Sequence, residues 1–334
     1  MRNAISRIVE MPVRLIAQNS PAQWYAPLLI YLSPLFENSC LYWEICFMFR
    51  RWIAAGVTLL LSLVLVACAT ATTPPASTAQ KVASRVVSLT SLTSDIVANL
   101  DKTKLAGVGG SRLLDKDARF KDIPRVSQGQ TPPSLEQIVA LKPDLVVVNE
   151  EFHAQLLPKL KDLKIATLST NIKKWDDLAS ITESVARSIG ADPAPLLARY
   201  QSFLGKPAVE SPPTLVLVSR QPILAPNKNS WAGDLLEKFG AKNLVADLQG
   251  KSPVGGYVTL SPEKVLEANP EVLLVVDMGQ GILEEFKSEP FWSKLKATQN
   301  NRVYVFDYFG LVNPGSIDKI EEACKQLGQV FRKV

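Results

Sequence analysis

Short, unbroken apolar runs punctuate the chain from about residue 85 onward. Leu145–Val148 and Val272–Val276 are β-branched and leucine-rich stretches without polar alternation. That is the pattern of strands buried on both faces of a parallel sheet. Runs at Arg85–Leu89, Leu105–Gly109, Ile165–Leu168, Thr214–Val218 and Arg302–Phe306 read the same way. Between them lie segments with apolar residues three and four apart: Leu92–Leu100, Asp176–Ile189, Ala232–Phe239 and Ile317–Phe331. Strands alternating with helices predict an α/β fold with largely parallel sheets.

An internal repeat divides this pattern in two. SLEQIVALKPDLVVV begins at Ser134 and SPEKVLEANPEVLLV at Ser261, with Ser, Glu and Pro at matching spacing. Each copy reads as a short helix running into a buried strand. Ser134 and Ser261 are N-caps, whose hydroxyls accept a free first-turn N–H. Pro143 and Pro270 end the helices. The duplication predicts two lobes, an N-terminal one over residues 82–190 and a C-terminal one over 209–334. Between them, Asp192 can cap a helix that Pro193 opens. The linker over 191–208 therefore reads as one helix, which over Asp192–Leu204 would span about 20 Å.

The first eighty residues follow other rules. The basic Met48–Trp52 precedes an apolar run, Ile53–Val66, and then Leu65-Val66-Ala67-Cys68. A basic segment, an apolar stretch too short to span a bilayer, and a small residue before the cut make a secretory signal peptide over 48–67. Cys68 after Leu-Val-Ala has the pattern of the bacterial lipobox, in which the Cys thiol is lipidated. Residues 68–81 are a Pro/Thr/Ala tether. Residues 1–47 stand upstream of a complete signal peptide, and Met48 is a natural start. They read as a start placed too early, or as an extension, and take no part in the fold reasoning.

Composition narrows the chemistry. The 334 residues are 47% hydrophobic and 21% charged, which excludes a disordered or disulfide-stapled chain. A net charge of +5, from 37 basic and 32 acidic residues, gives no sign of a nucleic-acid groove. One histidine and four cysteines without a C-x-x-C pair offer no metal framework and little for an enzyme. Cys324 reads as a packed core thiol.

RVVSLTSLTSDIVANL, LAGVGG and PPSLEQIVALKPDLVVV in the first half resemble the first lobe of the helical-backbone (class III) substrate-binding proteins of bacterial ABC importers. NSWAGDLLEKFGAKNL, YVTLSPEKVLEANPEVLLVV and FWSKLKATQNNRVYVFD resemble the second. The resemblance covers about residues 82–334. It implies two Rossmann-like lobes joined by a single long helix, a ligand cleft between them and no catalysis. It implies a lipid-anchored periplasmic monomer that passes its ligand to a permease and its ATPase, with no nucleic acid and no cofactor. The ligand ranks as a ferric siderophore first, then cobalamin, then haem, for which an axial histidine is missing. A sensor or scaffold without transport is the alternative; free zinc or manganese binding needs several histidines.

Ligands of open α/β sheets sit beyond the carboxyl ends of strands, so the loops there supply the candidates. Thr90, Ser91 and Thr93 follow the first strand as cleft hydroxyls or helix caps. Arg112 and Arg220 follow strands in either lobe, and a guanidinium suits anionic oxygens. Glu150, Glu151, Phe152 and His153 follow the strand at Leu145. Asn171 and Trp175 follow the next one and can wall the cleft. Trp231, Tyr257 and Tyr308 offer aromatic faces with polar tips, and Phe309 an apolar aromatic face. Glu136 and Glu263 favour the positive ends of their helices; the resemblance adds a role in docking onto permease arginines.

Overall fold

The computed structural model describes residues 82–332 apart from 129–130, 206–210, 250–251, 253 and 280. Residues 48–67, read as a signal peptide, and 68–81, read as a tether beginning at Cys68, lie outside the described residues.

Among the described residues, eleven strands form three sheets. In the first half, β1 (Val86–Ser88), β2 (Leu105–Val108), β3 (Leu145–Asn149) and β4 (Ala166–Thr170) lie in the order β2-β1-β3-β4. Every pairing is parallel. In the second half, β5 (Pro213–Leu217), β8 (Lys242–Asn243), β10 (Val272–Asp277) and β11 (Val303–Asp307) form another parallel sheet, ordered β11-β10-β5-β8. β6 (Ser219–Arg220), β7 (Ile223–Pro226) and β9 (Tyr257–Leu260) make a small antiparallel sheet beside it. The strands expected to be buried on both faces are so at β3, β5 and β10. β4 is not: it forms the sheet edge, and Ala166, Thr167 and Ser169 face solvent.

The repeat appears as two equivalent units. Helix α1 (Ser91–Asp101) follows β1, whereas α2 (Leu135–Ala140) and β3 form the first copy of the repeat. Ser134 accepts the Gln137 N–H at 3.3 Å. In the second copy, Ser261 accepts the Lys264 N–H at 3.3 Å and caps Pro262–Ala268, which runs into β10. Hydroxyl caps of this kind contribute about 1 kcal/mol each.

Two helices tie the halves together. After α3 (Trp175–Ile189), the connecting helix α4 spans Ala194–Phe203, with Asp192 accepting the Ala194 N–H. It is shorter than expected because Pro193 sits at its start and Leu204 is already extended. It is also not the sole tie. After α5 (Trp231–Lys238) and α6 (Pro262–Ala268), the final helix α7 (Ile317–Arg332) reaches back to the first half. The Asp95 carboxylate of α1 accepts the Ile317 N–H at 2.7 Å. The Arg119 guanidinium donates to the same carboxylate at 2.8 Å. Arg199 of α4 pairs with Asp318 and Glu321 of α7 at 2.6 Å each. One apolar core consequently runs across both halves, from Val86 and Ile96 to Leu327 and Phe331. Cys324 lies within it, and burial pushes its thiol up to about 12.

Candidate binding cleft

Two adjoining cavities, of about 270 Å³ and about 250 Å³, lie between the carboxyl ends of the two parallel sheets. They share Asn149, Phe152, Ile172, Asn313 and Pro314, and so form one cleft.

The first half contributes the loops after β1, β2, β3 and β4. After β1, Thr90 caps α1 by accepting the Thr93 N–H, and the Thr93 hydroxyl bonds those of Thr90 and Ser88. After β2, Gly110 and Ser111 reach the cleft. After β3, the Asn149 side-chain oxygen accepts the N–H groups of Glu151 and Phe152 at 3.0 and 2.9 Å. This local turn satisfies its own backbone and presents the Phe152 ring outward, 76% exposed. After β4, Asn171 and Lys173 both engage Glu151, the lysine at 2.6 Å. Those two partners hold the Glu151 carboxyl below its usual range.

His153 is held in the same turn, with Nδ1 accepting the Asn149 N–H at 3.0 Å. Burial lowers its pKa. The neutral ring then carries its proton on Nε2, which makes that nitrogen a donor and not a metal ligand.

The second half contributes aromatic walls. Trp231 opens α5, is 3% exposed, and donates its indole N–H to the Gly310 carbonyl at 3.1 Å. The helical turn carrying that carbonyl lies close to α7: a Cβ at Gly310 would stand 2.4 Å from the Lys319 carbonyl, so only glycine fits. Tyr257 begins β9 and Tyr308 follows β11, both on the cleft. Burial raises both phenols above their usual range; nearby Tyr308 adds to the shift at Tyr257, while a hydrogen bond with Asn313 opposes it at Tyr308. Both are neutral at physiological pH. Direct phenolate coordination of iron would cost that proton. Among the described residues, no group of three or more His, Cys, Asp or Glu could hold a metal ion.

Ser91, Thr93, Trp231, Tyr257, Tyr308 and Phe309 all line the cleft. Arg112, Trp175 and Arg220 do not. Arg112 begins a short helix beside Ser111 and faces solvent. Trp175 turns inward instead, stacking on Trp231 at 5.9 Å and meeting the edge of Phe203 at 6.4 Å. Its backbone N–H donates to Asp234 across the halves at 2.7 Å. Arg220 lies in β6, where its guanidinium pairs with Glu289 and Glu285. Sequence reasoning missed the amides Asn149, Asn229 and Asn313 and the cation Lys173. Asn149 ends β3, Lys173 follows β4 and Asn229 precedes α5, positions that were the available signal; Asn313, after the helical turn Tyr308–Leu311, had none. Glu136 and Glu263 stand exposed in the first turns of α2 and α6.

A family model described as periplasmic binding protein matches residues 86–308. The chain belongs to that family. The Fe(3+)-citrate-binding protein YfmC of Bacillus subtilis (strain 168) is 26% identical over 75% of this chain and 81% of its own. The uncharacterized ABC transporter substrate-binding lipoprotein YvrC of the same organism is 24% identical over 69% and 77%. The periplasmic haem-binding protein HutB of Vibrio cholerae shares the fold with a TM-score of 0.63 at 17% identity, over 74% of this chain and 98% of its own. As a periplasmic binding protein, the chain serves ligand binding for an ABC importer and not catalysis.

Proposed function

We propose that this protein captures an intact ferric siderophore or related iron chelate between its lobes and delivers it to an ABC importer permease. The observation that carries this reading is the cleft itself. It opens at the carboxyl ends of two parallel sheets, and aromatic rings and amides line it. Among the described residues it offers no group of three or more His, Cys, Asp or Glu for a bare ion, and its two phenols keep their protons, which favours iron already wrapped in its chelator. The naming of YfmC as an Fe(3+)-citrate-binding protein supports an iron cargo. Haem is the weaker alternative, since the only histidine of the sequence spends Nδ1 on the Asn149 N–H. Cobalamin remains the second ligand to test.

The lipobox at Cys68 and the lipoprotein naming of YvrC support a lipid-anchored, extracytoplasmic protein. Glu136 and Glu263, exposed on equivalent helices, fit a paired grip on the two-fold permease, whose ATPase drives transport. Trp231 reports occupancy of the cleft. Titration with ferric hydroxamate, ferric catecholate, ferric citrate, cobalamin and haem should give saturable quenching at submicromolar concentration with at least one iron chelate. Failure of every iron chelate while cobalamin or haem saturates would overturn the iron assignment.

A further inference from the structure

We infer that the cleft selects iron chelates carrying no net charge and discriminates against polyanionic ones. This rests on the chelate-binding reading above and adds a specificity to it. Among the described residues, three titratable groups besides the two tyrosines face the cleft: Glu151, Lys173 and His153. Glu151 and Lys173 neutralise one another at 2.6 Å, and Asn171 fixes the acid from its other side. His153 is neutral because burial lowers its pKa and Nδ1 is an acceptor. Arg220 is tied to Glu289 outside the lining. Arg112, solvent-exposed beside Ser111, is a further cation at the rim.

A polyanion entering this cleft would lose hydration and, among the described residues, meet no uncommitted cation within it. Desolvated charge without a partner is strongly unfavourable. A neutral chelate faces no such cost. The amides of Asn229 and Asn313 and the phenols of Tyr257 and Tyr308 supply hydrogen bonds of both senses to carbonyl and amide groups. Phe152 and Val254, 76% and 47% exposed, supply apolar contact that no part of the described protein covers. The Asn149 turn holds the Phe152 backbone in place before the ligand arrives, which reduces the ordering cost of binding.

The test is calorimetry on the purified protein with three iron complexes: neutral ferrichrome (a trihydroxamate), ferric citrate and the trianionic ferric enterobactin (a tricatecholate). The inference predicts ferrichrome binding at least about 100-fold tighter than either anion, with less than a twofold change between 50 and 500 mM NaCl. Glu151→Gln leaves Lys173 without its acid. It should shift the ratio of citrate to ferrichrome affinity toward citrate by about five- to tenfold, the effect of one screened charge at close range. Phe152→Ala should weaken ferrichrome binding by about tenfold. Tighter binding of either anion would overturn the charge selection while leaving chelate capture intact. An unmoved ratio in Glu151→Gln would overturn the role of the ion pair. Binding of none of the three would overturn the chelate reading, and this inference with it.

Discussion

Replacing Asp95 with alanine removes the carboxylate that joins the first helix of one lobe to the last helix of the other. Asp95 is 1% exposed and accepts from Ile317 N–H, Asn99 and Arg119. Leaving the buried Ile317 N–H without its acceptor costs about 1–3 kcal/mol. The lost Arg119 contact adds less, about 1 kcal/mol or under, because Arg119 keeps Asp117 at 2.6 Å and is partly solvated. Relief from burying a carboxylate offsets part of this, leaving a net loss of about 2 kcal/mol. For a folded region of this size, that lowers Tm by about 4–8 °C. The amide oxygen introduced by D95N keeps an acceptor for the Ile317 N–H, so D95N should cost less than D95A. Burial raises the Asp95 pKa above the ordinary 3.8, against the pull of Ile317 and Arg119. The fold therefore favours the protonated acid. Its stabilisation is fullest below about pH 4 and declines as pH rises through the folded value, so the gap between wild type and D95N narrows from about pH 4 to pH 7. Urea unfolding of the three proteins across that range checks both points. A D95A loss under about 0.5 kcal/mol, or a gap that widens with pH, would refute this account of the inter-lobe tie.

Other consequences follow from the same geometry. Tyr257→Ala should weaken chelate binding about tenfold or more, while Tyr257→Phe should have a smaller effect because the ring supplies most of the contact; equilibrium titration distinguishes them. Arg220→Ala should leave ligand affinity within twofold and cost about 1 kcal/mol or less of stability, since its partners are Glu289 and Glu285. Glu136→Lys combined with Glu263→Lys should abolish chelate uptake by cells while leaving the affinity of the purified protein unchanged. Lost affinity would remove docking as the role of these acids.

The legibility of this molecule varied with length scale. β3, β10 and the serine-capped helices before them could be read because residue type alone specifies a cap, an apolar stripe and a buried run. The antiparallel sheet could not, because β6 has two residues and β7 and β9 four each, too short for a periodic signal. The rule that ligand contacts follow strands pointed to Tyr308 and Phe309, which line the cleft. It says where a residue lies and not which way it points. Arg220 follows a strand, yet β6 directs it toward Glu289; Trp175 follows one too, yet helix α3 turns it into the seam between lobes. Asp95 carried a signal that could have been used. It is an acid among the buried positions of α1, where only a partner from elsewhere in the chain makes it tolerable.

The central claim is that an intact iron chelate occupies the space between the lobes. A crystal structure of the complex with ferrichrome, with the iron located by anomalous scattering, tests it most directly. One iron peak is expected in the cleft, with its chelator against Phe152, Tyr257 and Tyr308 and no protein atom in the iron's coordination sphere. Iron bound directly by a tyrosine or His153, or a chelate seated outside the cleft, would contradict it.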